Sequence, residues 1–275
     1  MLELSSMSNL IAEKPKRTML NQQQEPLKLK TAYDYLNRLS FTINGTCNKT
    51  VELLLGDAVC LVGDSRMINL ILTKVGVHAL MPKAYGGFGR NSSVFILDAG
   101  NCTDVYQFVD FMKQYGLDIK KTLRQIMISR VFTVYQLTHF LKYELPKTIH
   151  EHKTNVVIIP DLLAMFAQEP EINIRRDIES LLREIADLLK EIPSKYKVLL
   201  ITSISLNNYK LSSDVLGLIN KVLSMFNKHV RVDMNKTNDR FKVLIQEKHD
   251  VNYVTVKKYL SLSSEDILIH KEMSS

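Results

Sequence analysis

Two groups of residues in this 275-residue sequence are of types that could do chemistry. The first surrounds DAVCLVGDSRMIN (57–69), which reads as an apolar strand, a turn at Gly63 and the start of a helix. Backbone N–H groups and a helix N-terminus hold phosphate in that context. The turn Gly63, Asp64, Ser65, Arg66 nevertheless lacks the further glycines and the lysine of a phosphate-cradling loop. The second group is cationic. Lys210, Arg231, Lys236, Arg240, Lys242, Lys257 and Lys258 are interleaved with Tyr209, Phe241, Tyr253 and Tyr259. Cations can hold phosphates while rings stack the bases of a single strand, but lysines protecting a sheet edge make the same pattern. His150 and His152 are two apart, on different helix faces, and His139 is distant, so the histidines do not read as a metal set.

The elements that must position these residues follow from periodicity. The composition, 45% hydrophobic, is enough for one sizeable core, and a formal charge of +7 with a pI near 9.1 permits a polyanionic partner. Cys47, Cys60 and Cys102 have neither disulfide nor zinc spacing. Residues 1–30 are polar and carry QQQEP, and they read as an N-terminal tail; 31–262 read as the core domain and 263–275 as a C-terminal tail. No stretch offers about 18 uncharged apolar residues, so the expectation is a soluble chain without a membrane span, cytoplasmic and nucleoid-associated, or nuclear.

Within the core, TAYDYLNRLSF (31–41) reads as helix or as helix then strand, and VELLLG (51–56) as a helical turn before the strand at 57–63. SVFILDAG (93–100) is an apolar run that meets Asp98, IMISRVF (126–132) is a strand, and NVVIIPDLLAMF (155–166) opens as a buried strand and reaches Asp161. KVLLITSIS (197–205) is another. Helical spacing marks 105–116, 134–152 and 174–192. Strands apolar on both faces and separated by helices predict an α/β fold with a mostly parallel sheet flanked by helices. The alternating segments HVRVDMN, RFKVLIQEK and VNYVTVKKY predict C-terminal antiparallel strands on one sheet edge.

The order of these elements, and the wording of FGRNSSVFILDAGN (88–101), QYGLDIKKTLRQIMISRVFTVYQLTHFL (114–141), NVVIIPDLLAMF and VLLITSIS, resembles the RecA/RadA-type recombinase ATPase core, archaeal RadA paralogues above all. The resemblance spans about residues 35–260 and implies a RecA-like ATPase core in which the nucleotide site is degenerate. Counted back from Pro82, the loop is one residue short, and the lysine and hydroxyl positions fall on Ile68 and Asn69. Arg66 or Lys74 are the cations available as substitutes. The family's water-activating carboxylate falls on Gly100, beside Asp98. Its magnesium-holding Asp falls on Pro160, with Asp161 one residue late and so turned to the other strand face. Ser203 and Ile204 stand at the sensor positions. The likeness therefore implies a protein that is not an enzyme, needs no cofactor, and joins a recombinase or a recombinase paralogue in homologous recombination and DNA repair, with single-stranded DNA as a further partner. A divergent ATPase completed by a partner subunit, or an adaptor without DNA contact, are the alternative readings. The loop 205–229 is mostly helical in pattern, with Lys210 its one early cation. No Phe lies in residues 1–40 to serve as the family's aromatic anchor, leaving SNLIA (8–12) as the tail's apolar piece.

Overall fold

The computed structural model describes residues 38–42, 50–89, 91–166, 174–208, 213–224, 226, 228–235, 240–247 and 258–263. All lie in one unit, 37–275. The expected tail 1–30, and nearly all of 263–275, fall outside them.

The chain forms β1 (Arg38–Thr42), β2 (Thr50–Leu54), β3 (Ala58–Gly63), α1 (Ser65–Ala79), β4 (Ser93–Asp98), α2 (Val105–Gln114), α3 (Ile119–Leu123) and β5 (Ile126–Arg130). There follow α4 (Val134–His139), α5 (Leu145–His152), β6 (Thr154–Ile159), α6 (Ile174–Tyr196), β7 (Leu199–Ser205), α7 (Ser213–Leu223), β8 (Lys228–Asn235), β9 (Arg240–Glu247) and β10 (Lys258–Ser263). The large sheet has the order β10-β9-β8-β3-β7-β6-β4-β5. Its strands from β8 to β5 are all parallel, and β9 and β10 continue it antiparallel. This is the α/β fold with a mostly parallel sheet and C-terminal antiparallel strands that the periodicity predicts.

Both faces of the sheet are covered, which is why its strands are continuous apolar runs. In β3, Val59 and Leu61 pack with Ile68, Ile71 and Leu72 of α1 and with Phe108 and Phe111 of α2. Their neighbours Ala58, Cys60 and Val62 face the opposite cluster, with Leu137, Leu145, Leu182 and Ile185 from α4, α5 and α6. The helices begin where a short oxygen-bearing side chain meets the first turn. Asp64, Asp104, Asp118 and Thr133 each accept a bond from a backbone N–H of the helix that follows.

Three local expectations change. VELLLG is strand rather than helix: β2 pairs antiparallel with β1, and the hairpin buries Leu39 and Leu53 against the α1 side of the core. Pairing and burial override local propensity there. The helix expected over 134–152 contains a π turn at Phe140–Glu144 just before Pro146. Proline has no N–H to give to the carbonyl four residues back, so the turn opens. At the C-terminal end, β8 runs parallel to β3 and antiparallel to β9, the third strand is described over 258–263, and residues 251–257 of the expected third segment lie outside the described residues.

Candidate functional site

Because β3, β7, β6 and β4 are parallel, their carboxyl ends share one edge of the sheet, the edge where open α/β sheets bind ligands. All the expected nucleotide-site residues meet there.

Gly63 is paired with Val232 of β8 and has φ 149°; a Cβ on it would stand 1.9 Å from the Val232 carbonyl oxygen. The glycine is thus needed for close passage of two strands. A single residue, Asp64, separates β3 from α1, so there is no loop to wrap a phosphate. Asp64 Oδ1 accepts from Met67 N at 3.1 Å, and its other oxygen accepts from the Asn207 amide after β7. A carboxylate therefore already sits on the helix N-terminus, where a bound anion would sit. Ser65 opens the helix half-buried and Arg66 is exposed at its second position. Ile68, at the expected lysine position, is fully buried in the core, and Asn69 is half-buried.

The other two carboxylates are equally engaged. Asp98 ends β4 and is 1% exposed. Its oxygens accept from Cys102 N (3.0 Å) and Thr103 N (3.2 Å), folding back the loop after the strand. Arg130, its partner in β5, lies 3.5 Å away. Asp161 lies beyond the end of β6 with φ 47°, so strand alternation does not set its direction, contrary to the expectation of a residue turned to the other face. Its carboxylate accepts from Ser205 N (3.2 Å), and its N–H donates to Ser203 Oγ (2.8 Å). Asp161 thus ties the end of β6 to β7. Gly100 leaves room for it: a Cβ there would stand 2.6 Å from the Asp161 Cβ.

Beside these carboxylates, a pocket bordered by Asn69, Thr73, Cys102, Thr103, Phe108 and Pro160 has a volume of about 20 Å³. That is room for one water. Burial, with Asp98 and Asp161 nearby, pushes the Cys102 thiol up to about 12, which keeps it protonated and a poor nucleophile. Of the two cations considered as substitutes for a phosphate-binding lysine, Lys74 is buried in the middle of α1, and desolvation lowers its pKa to about 8. Its place, nine residues past the helix start, is roughly 13 Å along the axis.

Of the cationic set, Lys210, Lys236 and Lys257 lie outside the described residues. Arg231 is exposed on β8. Register puts positions 231, 240 and 242 on one face of the sheet and 258 on the other, because antiparallel partners share a face. The four described positions are therefore split between the two faces of the sheet. His139 lies against the Tyr143 ring, with centroids 5.0 Å apart. Among the described residues no cluster of His, Cys, Asp or Glu could hold a metal ion.

Sequence reasoning missed two features. Phe132 and Tyr135 are 72% and 59% exposed just after β5, the edge strand of the sheet, and Tyr106 is 82% exposed in the first turn of α2. At the opposite, amino-terminal edge, Lys83, Arg124, His152 and Lys153 line open hollows. No pattern within a single segment signals either; only the fold gathers them. No protein-family model matches the chain.

Proposed function

We propose that this chain is a RecA-like recombinase paralogue that acts by binding rather than by catalysis, assisting homologous recombination and DNA repair in the cytoplasm at the nucleoid, or in a nucleus. The observation that carries the reading is the occupied N-terminus of α1: Asp64 caps it directly after β3. A phosphate arriving there meets a fixed negative charge. At 4 Å and an effective dielectric of 20 that repulsion is about 4 kcal/mol per pair of unit charges, more than a helix terminus returns. Asp98 and Asp161, the carboxylates nearest to the family's catalytic positions, already hold backbone N–H groups. Supporting the binding role, the exposed rings Phe132 and Tyr135 adjoin an edge strand, a surface suited to a recombinase or paralogue partner. Among the described residues no helix is long and apolar enough to cross a membrane.

The test is calorimetric titration with ATP and magnesium, paired with anisotropy of labelled single-stranded DNA at two salt concentrations. The expected result is no ATP heat and salt-sensitive DNA binding. Tight ATP binding overturns the reading in favour of an ATPase completed by a partner subunit.

A further inference from the structure

The amino-terminal edge of the sheet is built from the connections that enter β4, β5 and β6. The segment after α1, the residues Arg124 and Gln125 after α3, and His152 and Lys153 at the end of α5 come together there, although they are far apart in sequence. They enclose two adjoining hollows of about 460 and 370 Å³ that share Asn91 and Ser92. The floor is stitched by part-buried bonds: Ser93 Oγ donates to the His152 carbonyl at 2.8 Å, and the Gln125 side-chain amide donates to the Ser92 carbonyl at 2.9 Å. Lys83, Arg124 and Lys153 are exposed on the walls; among the described residues no carboxylate lines either hollow, and Arg124 and Lys153 have no ion-pair partner.

Cations at helix C-termini have an ordinary use, neutralising the helix dipole. Magnitudes decide against that as the whole account. Three helix ends supply about half a negative charge each, and two of these helices, α3 and α5, have only five and eight residues. Two full positive charges, on Arg124 and Lys153, exceed the roughly one negative charge that the ends of α3 and α5 supply together. The lining is mostly amide, hydroxyl and cation, with Leu55, Phe88 and Met127 its apolar part, which fits a sugar-phosphate chain better than an apolar ligand. Tyr85, 68% exposed, stands on the same single helical turn as Lys83 and offers a face on which a base can stack.

We propose that this trough at the amino edge of the sheet is a binding site for the backbone of single-stranded nucleic acid. It rests on the DNA-binding part of the reading above and assigns that contact to Lys83, Arg124 and Lys153, with Tyr85 as the stacking ring. A path through two adjoining hollows suits a repeated charge, and the exposed ring favours a nucleic acid over an acidic peptide.

The experiment uses the full chain and a fluorescein-labelled oligothymidine, with affinity measured over a range of salt. The double variant R124Q/K153N, with far-UV circular dichroism unchanged, is expected to bind on the order of tenfold more weakly and to lose about 1.4 from the log–log salt slope, two single-strand contacts at about 0.7 each. R231Q, in the other cationic set, is expected to bind like wild type. Y85A is expected to weaken binding on the order of tenfold at unchanged slope, as loss of stacking does. Equal affinity for wild type and R124Q/K153N overturns the site; if R231Q then carries the loss, the DNA-binding reading survives at β8. Wild type that binds no oligothymidine overturns the site and the DNA-binding reading together, while the absence of ATP heat is a separate readout. Equal affinity in Y85A overturns the single-strand assignment. Tighter binding of a glutamate-rich peptide, lost in R124Q/K153N, overturns it in favour of a protein partner.

Discussion

The two edges of the sheet spend their polar groups in opposite ways. At the carboxyl edge, Asp64, Asp98 and Asp161 hold backbone N–H groups of the loops and helix that begin there, and Asn207, Arg130 and Ser203 complete the set. Beside them, a pocket bordered by Asn69, Thr73, Cys102 and Pro160 has a volume of about 20 Å³. At the amino edge, exposed cations line hollows roughly twenty times larger than that pocket, with no carboxylate in their lining among the described residues. The usual rule for α/β sheets places ligands at the carboxyl ends; the difference teaches that the three carboxylates there already bond the protein's own groups. Substitutions at the carboxyl edge should accordingly cost stability, and those at the amino edge should cost binding.

The largest effect on stability is expected from Gly63→Ala. The new Cβ would meet the Val232 carbonyl oxygen at 1.9 Å in a backbone conformation unsuited to L side chains. A loss above about 4 kcal/mol in urea unfolding is expected; a loss below about 1 kcal/mol would show that β8 yields easily and that the close strand passage is not what requires glycine.

Lys74 gives a pH-dependent contrast. Its folded value, lowered to about 8 by burial, lies below its unfolded value of about 10.4. Between those values the unfolded chain binds more protons, so the Lys74 contribution raises stability as pH climbs from about 8 to 10.4. Lys74→Met removes the penalty, which at 1.36 kcal/mol per unit is on the order of 3 kcal/mol at pH 7. The variant should be the more stable one at pH 7, with the gap closing by pH 10 in parallel denaturation series. A gap independent of pH sinks the desolvation account.

Asp161→Ala removes the acceptor for Ser205 N and leaves a β-carbon at positive φ without the side chain that suits it. About 2 kcal/mol should be lost, while Asp161→Asn, which tolerates the left-handed conformation and keeps a carbonyl acceptor, should retain most of that. Equal losses in the two variants would make the charge, not the hydrogen bond, the operative feature. Asp64→Ala should cost about 1 kcal/mol as a lost helix cap. Asp64→Ser, which keeps a capping oxygen without the charge, tests the electrostatic plug: pyrophosphate affinity measured by calorimetry should rise relative to wild type. Smallest of all is R124Q/K153N, whose unfolding midpoint should stay within about 0.5 kcal/mol of wild type. A larger loss would give the amino-edge cations the same structural role as the carboxyl-edge acids and erase the contrast.

Much of this layout was legible in the residues. The strands at 58–63, 93–98, 154–159 and 199–205 are apolar throughout because both sheet faces are covered, and Asp64, Asp104, Asp118 and Thr133 are caps that local chemistry dictates. The shortness of the GDSRMIN turn was legible too, and with it the poor fit to a phosphate loop. The hairpin of β1 and β2 was not, since VELLLG has no helical or strand period long enough to decide, and only pairing with Arg38–Thr42 does so. Nor was the direction of Asp161, which depends on a left-handed residue after the strand rather than on alternation within it.

The sequence by itself determined the alternation of strands and helices, the helix starts, and the absence of a lysine and a second glycine after β3. These are consequences of neighbours within a few residues, where propensity, capping and hydrophobic period act. Only the tertiary structure decided why Gly63 must be glycine, which donors satisfy Asp98 and Asp161, and that Lys83, Arg124 and Lys153 border one trough. Each of those depends on strands and connections brought side by side from distant parts of the chain, and parallel order in a sheet is set by long-range packing on both its faces.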